Sequence, residues 1–552
     1  MTSHRLSIRS ALAALCWCVA ATTGQSACSP NSDISWAHDR HAQATTATSA
    51  SSASAVLVKL PQDKGDLSLS PACLDGSAYG FYFRPSATGS SRWTLNFEGG
   101  GWCYDEETCY CRATTSRHGS SRWLPPTMAN FSSPCECMNP RSVNGSLDSD
   151  CNCIYLPYCD GASFSGHRAK PWPVPPVPNG AAHSRNVTVT FRGLSNLDGA
   201  VAYAMERGME SASELVIAGN SAGGLAALLH TDRVAALVRA ASPAVVVRSA
   251  PGGGTLGGAG GYFLDHGSYT DKPRGTPNTP QWDANATFTA KMKYLYEMQN
   301  LTFGPSGGLM AQCQAAHSTE PWLCFLAPHA QAFVTTPMFL FNSKYDAWQL
   351  GNILQTGGLT NSTSAWNSEP VQRAVVQYGK DFLTALEPFW KMGGNPPRSG
   401  RRQPQPQPPT RSKVVRSSKT RGDGGTAADG GFAASSQPAP ASSENAIGVA
   451  GASTSSLNDV DAQEGRNGGF ITSCVCHECR WDDPNLMLGG KPAVQHYAEW
   501  FSGKTLGPTA MHIDGRLPNG GGTFSKDMMC RSNGTPSDLQ PCCLPFGLHI
   551  AE

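Results

Sequence analysis

The chain has 552 residues, 15% of them charged, and a formal net charge of +1 at pH 7. Because the charges nearly balance, nothing in the composition calls for nucleic acid or an anionic membrane surface as a partner. Glycine and proline contribute 58 and 40 residues, which predicts many loops and turns around a moderate core.

The first 24 residues are typical of a secretory signal peptide. His4, Arg5 and Arg9 give a positive start, residues 11–21 form an apolar run of eleven, and small residues follow at 22–24. Eleven apolar residues are too few to span a bilayer, which takes about 20. An N-terminal anchor is the alternative. No later segment is long and apolar enough for stable insertion into a membrane.

The cysteines and glycosylation sequons agree with a secretory route. Of 20 cysteines, Cys16 and Cys18 lie in the predicted signal, and an even number remains. An even number of cysteines in a secreted chain predicts a disulfide-rich fold. N-glycans are predicted at the N-x-S/T sequons, which begin at Asn130, Asn144, Asn186, Asn285, Asn300, Asn361 and Asn533.

Composition divides the rest of the chain into four parts. Residues 25–56 are a low-complexity N-terminal segment, and globular sequence runs over 57–395. Residues 396–466 hold one aromatic residue, Phe432, and no cysteine. Such a segment cannot bury enough apolar surface to offset its ordering entropy, so we predict a disordered insertion. Globular sequence resumes over 467–552, and we expect both globular parts to form one domain.

A nucleophile elbow is predicted around Ser221. The apolar run at 215–218 is typical of a buried parallel strand, and the sequence from Ala222 onward is typical of a helix. Between them lies Gly-x-Ser-x-Gly, and this strand–turn–helix setting is the one that an exposed nucleophilic serine requires. A structural glycine turn without chemistry is the alternative.

A second glycine-rich turn is predicted to complete an oxyanion hole. The apolar run at 93–97 leads into the sequence EGGGW. A loop of this kind supplies an N–H donor in α/β hydrolases, because glycine lets the backbone approach the substrate carbonyl closely. We assign the backbone N–H groups of Gly101, Trp102 and Ala222 to the oxyanion hole. A plain glycine turn is the alternative.

The acid of such a hydrolase follows the serine in the chain, and the base follows the acid. Asp346 comes directly after a short apolar strand, where a carboxylate can reach the catalytic face of a sheet. It is the only carboxylate between Thr335 and Gln355. We therefore predict that Asp346 is the orienting acid, with an aspartate in a turn as the alternative.

The base is chosen from 14 histidines. His477 lies in the segment ITSCVCHEC, where disulfides would hold an imidazole in one place, as general-base catalysis needs. His230, on the helix after the elbow, is predicted to be a surface or packing residue. Cys474, Cys476 and Cys479 could instead bind zinc with His477, but the spacing is too tight for an ordinary zinc knuckle. We predict neither a metal nor a cofactor.

Taken together, these segments resemble the pectin acetylesterases of plants and the related Notum carboxylesterases of animals. The shared motifs are NFEGGGWC (96–103), YCDGASFSG (158–166), FRG (191–193), GNSAGGLAALLH (219–230), GYF (261–263), NSKYDAWQL (342–350) and FITSCVCHEC (470–479). The resemblance covers most of 57–395 and 467–545. It implies an α/β-hydrolase-like, mostly parallel sheet flanked by helices, with a triad at Ser221, Asp346 and His477.

The activity that this resemblance implies is that of a secreted serine carboxylesterase in the extracellular space or cell wall. Its expected substrate is an O-acetyl ester on a cell-wall or matrix polysaccharide. A Notum-like carboxylesterase that removes a fatty acyl group from a protein is the main alternative, and the depth of the acyl pocket would distinguish the two. Two further hypotheses are a peptidase with the same triad and a catalytically inactive binding module.

Overall fold

The computed structural model describes residues 54–63, 70–128, 135, 137–141, 145, 147–148, 150–176, 187–253, 260–266, 287–301, 311–354, 369–391, 467–474, 477, 479, 481, 487–505, 507–514, 529–531 and 539–541. The predicted signal peptide at 1–24, most of the segment at 25–56 and the insertion at 396–466 lie outside these residues. The first strand begins at Val56, close to the predicted start of the globular sequence.

The β-strands are β1 Val56–Lys59, β2 Gly80–Arg84, β3 Arg92–Phe97, β4 Asn152–Leu156, β5 Trp172–Val174, β6 Val187–Val189, β7 Glu214–Gly219, β8 Val246–Pro251, β9 Phe339–Ser343, β10 Gly468–Thr472, β11 Met487–Leu488, β12 Lys491–Pro492, β13 Met511–Ile513, β14 Met529–Arg531 and β15 Leu539–Pro541. The apolar runs predicted at 93–97 and 215–218 lie within β3 and β7.

The α-helices are α1 Glu106–Thr115, α2 Gly193–Glu206, α3 Ala222–Ala241, α4 Phe288–Met298, α5 Ala311–Ala316, α6 Ala327–Ala330, α7 Ala347–Asn352, α8 Glu369–Lys391 and α9 Ala493–Phe501. Short 3-10 helices cover Ser121–Trp123, Met209–Ser211, Pro321–Phe325, Gln331–Phe333 and Gly507–Ala510. None of the helices within the described ranges is long and apolar enough to cross a membrane.

The main sheet has the strand order β1-β2-β4-β3-β7-β8, and a second sheet has the order β13-β10-β9. A parallel bridge between Ser249 and Met338 connects the two sheets where β8 lies beside β9. Only the pairs β1–β2 and β2–β4 are antiparallel in these two sheets. All other pairs are parallel. The predicted mostly parallel sheet is therefore confirmed.

Strand β7 shows why helices must cover both faces of the main sheet. Leu215 and Ile217 belong to one hydrophobic cluster, which also holds the buried residues of α3. Val216 and Ala218 belong to a second cluster together with residues of α9. Successive side chains of a strand point to opposite faces, so a continuous apolar run fits a strand that is buried on both sides. Full burial of each Leu or Ile contributes roughly 1.5–3 kcal/mol.

The disulfides confirm the prediction of a disulfide-rich fold. The bonded pairs are Cys73–Cys159, Cys103–Cys109, Cys135–Cys153, Cys137–Cys151 and Cys313–Cys324. Cys111 and Cys479 are also disulfide-bonded. The Cys103–Cys109 bond encloses the start of α1, directly after the glycine-rich turn, and so limits the movement of that turn.

Candidate active site

Ser221 lies in a sharp turn between the end of β7 and the start of α3. Its backbone angles are φ 53° and ψ −127°, a conformation that costs a non-glycine residue about 1–3 kcal/mol. A Cβ at Gly219 would lie 2.3 Å from the carbonyl oxygen of Gly223, and a Cβ at Gly223 would lie 2.3 Å from that of Phe97. The two glycines of the elbow are thus required by close backbone contacts.

The structure brings Ser221, His477 and Asp346 together in one row. The Nε2 atom of His477 lies 3.0 Å from Ser221 Oγ. Its Nδ1 atom lies 2.9 Å and 3.0 Å from the two carboxylate oxygens of Asp346. A carboxylate oxygen accepts a hydrogen bond, so Nδ1 donates to Asp346 and Nε2 accepts the hydrogen bond of the serine hydroxyl. This is the arrangement that activates a serine nucleophile.

A glutamine that the sequence did not reveal holds Asp346 in place. Asp346 caps the N-terminus of α7 and accepts a hydrogen bond from the backbone N–H of Gln349 at 2.9 Å. The Gln349 side chain accepts from the hydroxyl of Tyr378 at 2.7 Å and donates to the carbonyl of Tyr262 at 3.0 Å. Burial and the nearby charge of Asp346 raise the pKa of Tyr378 well above its usual value, so its hydroxyl remains a donor.

His477 is held by the strand pairing beneath it. Strands β9 and β10 are parallel neighbours, and Asp346 and His477 follow their carboxyl ends. The Ser343 hydroxyl at the end of β9 donates a hydrogen bond to the carbonyl of Cys474, which ties the two strand ends together. Cys479 is disulfide-bonded, so its sulfur is not a thiolate ligand as the zinc hypothesis requires. No metal-binding cluster is found within the described part of the chain.

The glycine-rich turn after β3 lies directly against the elbow. A Cβ at Gly99 would be 2.9 Å from the Cβ of Ser221, and Gly101 has a φ of 62°. Within the described ranges, the backbone N–H groups of Gly101, Trp102 and Ala222 donate no hydrogen bond to another residue. These three amides are the ones that the sequence assigns to the oxyanion hole.

Two charged side chains that were missed in the sequence support this turn. Arg112 in α1 donates hydrogen bonds to the carbonyls of Gly100 at 2.8 Å and Trp102 at 2.9 Å. The carboxylate of Glu98 accepts a hydrogen bond from the backbone of Tyr158 at 2.8 Å and forms an ion pair with Arg117. With its carbonyls held by Arg112, the turn keeps a fixed backbone conformation.

Of the two alternatives predicted for His230, the structure shows a packing residue. Its side chain is 2% exposed. Its Nε2 lies 3.0 Å from the carbonyl oxygen of Ser163 and 3.1 Å from Ser165 Oγ. Burial lowers the pKa of His230 to about 4, so the imidazole is neutral at neutral pH.

Aromatic rings form a wall beside His477. Phe263 and Trp348 lie 6.4 Å and 6.0 Å from the His477 ring, measured between centroids. Trp102 packs edge-on against Phe263, Phe288 and Trp348 at 4.8, 5.8 and 5.6 Å. The side of the site next to the histidine is therefore apolar and densely packed.

These features define the class of the protein. A mostly parallel sheet, a serine in a strained strand–turn–helix and a hydrogen-bonded Ser–His–Asp row together characterise the α/β hydrolases. The chain also matches the Pectinacetylesterase family over residues 49–400, and it belongs to that family. The match ends before His477, which the fold nevertheless places beside Ser221.

Individual relatives fall into two groups of carboxylic ester hydrolases. Pectin acetylesterase 11 of Arabidopsis thaliana is 29% identical over 57% of this chain and 71% of its own length. The palmitoleoyl-protein carboxylesterase NOTUM of Homo sapiens is 30% identical over 56% of this chain and 54% of its own length. Among solved structures, the Wnt deacylase Notum from Drosophila has a TM-score of 0.46 at 23% identity, covering 60% of this chain and 82% of that chain.

Proposed function

We propose that this chain is a serine carboxylesterase with Ser221 as nucleophile, His477 as base and Asp346 as orienting acid. The observation that carries the proposal is the continuous hydrogen-bonded row from Ser221 Oγ through both nitrogens of His477 to Asp346. The family membership supports it, because the named relatives are ester hydrolases.

In the acylation step, His477 Nε2 takes the hydroxyl proton as Ser221 Oγ attacks the carbonyl carbon of the ester. The N–H groups of Gly101, Trp102 and Ala222 stabilise the oxyanion that forms. His477 then gives its proton to the departing alcohol oxygen, which leaves an acyl-serine. A water molecule, deprotonated by His477, attacks this acyl group in turn, and the carboxylic acid is released while Ser221 regains its proton.

The substrate that we favour is an O-acetyl ester on a cell-wall or matrix polysaccharide. One group of relatives is named for pectin acetyl esters. The aromatic wall also supports a short acyl group, because Trp102, Phe263 and Phe288 are each no more than 2% exposed and pack against one another. A long acyl chain entering beside His477 would have to separate these rings.

We further propose that the protein is secreted and N-glycosylated. Most of the sequons lie outside the described residues, but Asn300 does not. Its side-chain amide donates a hydrogen bond to the carbonyl of His167 at 2.8 Å, and the residue is partly buried. A glycan would be attached through this same amide nitrogen, so we expect Asn300 to be the least modified of the seven sequons.

An acyl-chain-length series on the purified protein tests the proposed function. Nitrophenyl esters from acetate to palmitate are hydrolysed in parallel by the wild type and by Ser221→Ala, followed by acetylated pectin and xylan. We expect the highest kcat/KM with acetyl and butyryl esters and no turnover by Ser221→Ala. Fastest hydrolysis of the palmitate ester would favour the fatty-acyl substrate, and a wild type inactive on every ester would refute the esterase.

A further inference from the structure

The motif at 158–166 contains two consecutive strained residues that the triad does not explain. Ser163 has a φ of 50° and Phe164 a φ of 58°, both in the left-handed region. Each such residue costs about 1–3 kcal/mol, and conformations of this kind persist only where surrounding contacts enforce them. Both side chains are completely buried.

The contacts of Ser163 show what this conformation achieves. Its hydroxyl accepts a hydrogen bond from the indole Nε1 of Trp102 at 2.9 Å and donates one to the carbonyl of Ala222 at 2.8 Å. Its backbone N–H donates to the hydroxyl of Tyr158 at 3.1 Å, and its carbonyl oxygen lies 3.0 Å from Nε2 of His230. The hydroxyl is thus a two-sided bridge on a firmly held backbone.

The two residues that this bridge joins carry proposed oxyanion donors from different parts of the fold. Trp102 belongs to the turn after β3, and Ala222 is the first residue of α3. Stabilisation of an oxyanion requires that donors from both elements lie at hydrogen-bond distance from one oxygen atom. Movement of about 1 Å between them can lower a rate by as much as 100-fold.

We propose that Ser163 is a positioning residue whose hydroxyl sets the distance between the two halves of the oxyanion hole. This inference rests on the proposed esterase function and adds a residue that touches neither the ester nor the triad. It explains why a buried serine takes up a left-handed conformation, where glycine would be free of strain but would supply no hydroxyl.

The variant Ser163→Gly separates the hydroxyl from the backbone conformation. Glycine adopts a φ of 50° without cost, so the loop is retained and only the bridge is lost. Ser249→Ala is the matched control, because the Ser249 hydroxyl is also buried and also contacts backbone carbonyls, those of Ile217 and Ala227, at 3.3 and 3.4 Å. We measure kcat and KM for an acetyl ester, together with thermal unfolding.

We expect Ser163→Gly to lower kcat by about 10- to 100-fold while KM changes by less than about twofold. Ser249→Ala should keep the wild-type kcat, even if its melting temperature falls by as much as that of Ser163→Gly. A wild-type kcat in Ser163→Gly overturns the inference while leaving the esterase intact. A wild-type protein that hydrolyses no ester overturns the esterase and this inference together.

A double-mutant cycle with Trp102→Phe asks whether the hydroxyl acts through the indole. Phenylalanine keeps an aromatic ring but loses the Nε1 donor, so the bridge is broken from its other end. We expect each single variant to lower kcat and the double variant to be no slower than the slower single variant. If the two single variants' losses of kcat multiply fully in the double variant, the proposed bridge is refuted. If Ser163→Gly does not fold, Trp102→Phe alone decides, and a wild-type kcat in that variant contradicts the proposal.

Discussion

Ser221 and the pair formed by His477 and Asp346 are held in this protein by two different kinds of structure. Around Ser221, the backbone itself is the constraint, because β7, the turn and α3 are continuous and leave no space for a Cβ at Gly223. His477 and Asp346 are 131 residues apart, and the parallel pairing of β9 and β10 brings them together. The elbow therefore leaves no room for added volume, whereas the His477–Asp346 pair depends on where two strands end and on the side-chain contacts that hold those ends.

This contrast locates the sensitive positions of the site. At Gly219 and Gly223 of the elbow there is no space for a methyl group. The described residues between β9 and β10, in contrast, are not part of the sheet. The entropy of closing a loop grows only slowly with its length, by about 0.6 kcal/mol for each doubling. The arrangement of His477 and Asp346 is thus stabilised by strand pairing and by contacts such as those of Ser343 and Gln349.

The largest effect is expected for Ser221→Ala, which removes the nucleophile without adding volume to the elbow. We predict a loss of kcat on the order of 10⁶-fold for a nitrophenyl ester, because no other group can form the acyl intermediate. Thermal unfolding of the variant should resemble that of the wild type. Near-normal turnover by the folded variant would exclude Ser221 as the nucleophile.

Asp346→Asn tests the other side of the comparison, where the contacts are made between side chains. The amide keeps the shape of the carboxylate but cannot hold His477 in the tautomer that accepts the serine proton. We predict a fall in kcat of about 10⁴-fold, measured on the same ester. Gln349→Ala should lower kcat much less, since it removes only the side-chain contacts of Gln349 with Tyr262 and Tyr378. Equal losses in the two variants would mean that Asp346 acts only through packing.

Gly223→Ala tests the backbone constraint directly. The added Cβ would lie 2.3 Å from the carbonyl oxygen of Phe97 and 2.5 Å from that of Glu98. Because both atoms belong to the backbone, we predict a loss of about 2–4 kcal/mol in unfolding free energy, measured by denaturant unfolding. Gly89→Ala is the control, since Gly89 has a φ of 74° but open space around it, and should cost only about 1 kcal/mol. Similar losses at the two positions would contradict the steric explanation.

The pH dependence of stability should report on the buried His230. Burial lowers its pKa to about 4 in the folded protein, from an ordinary value of 6.5. The unfolded chain therefore binds this proton first, so stability should fall as the pH drops from about 6.5 to about 4 and then level off. We predict that His230→Gln lowers this loss by up to about 3 kcal/mol. Part of the fall in stability at acid pH should persist in His230→Gln, because burial also lowers the pKa of His512 to about 4. An unchanged slope would count against a neutral, buried His230.

The residues that the sequence assigns to the candidate site are those that belong to short motifs or follow from chain order. The residues around Ser221 form a continuous motif, and Asp346 is the only acid in its segment. Ser163, Gln349 and Arg112 were not assigned to the site, because the contacts of each side chain with the site form only when the chain folds. Ser163 lies within the motif at 158–166, but its contacts appear only when folding places Trp102 and Ala222 on either side of it.

The edge of the main sheet was also not predicted. Strands β1 and β2 pair antiparallel to their neighbours, and their short apolar runs look like those of the parallel strands. Strand direction follows from the connections rather than from the residues of the strand itself. The aromatic wall beside His477 was missed for a similar reason, since Trp102, Phe263 and Trp348 come from three separate segments.

The smallest effect is expected for the deletion of residues 398–466, and it tests the tolerant side of the comparison. Replacement by a short Gly/Ser linker should leave turnover of a small neutral acetyl ester unchanged, because the pairing of β9 with β10 places Asp346 and His477. The first part of the segment is basic, with Arg398, Arg401, Arg402, Arg411, Lys413, Arg416, Lys419 and Arg421 before the first acid at Asp423. If these charges attract an anionic polysaccharide, only activity on such a polymer should fall, and only at low salt, where attraction is weakly screened. Loss of small-ester hydrolysis in a folded deletion variant would show instead that the segment belongs to the active site.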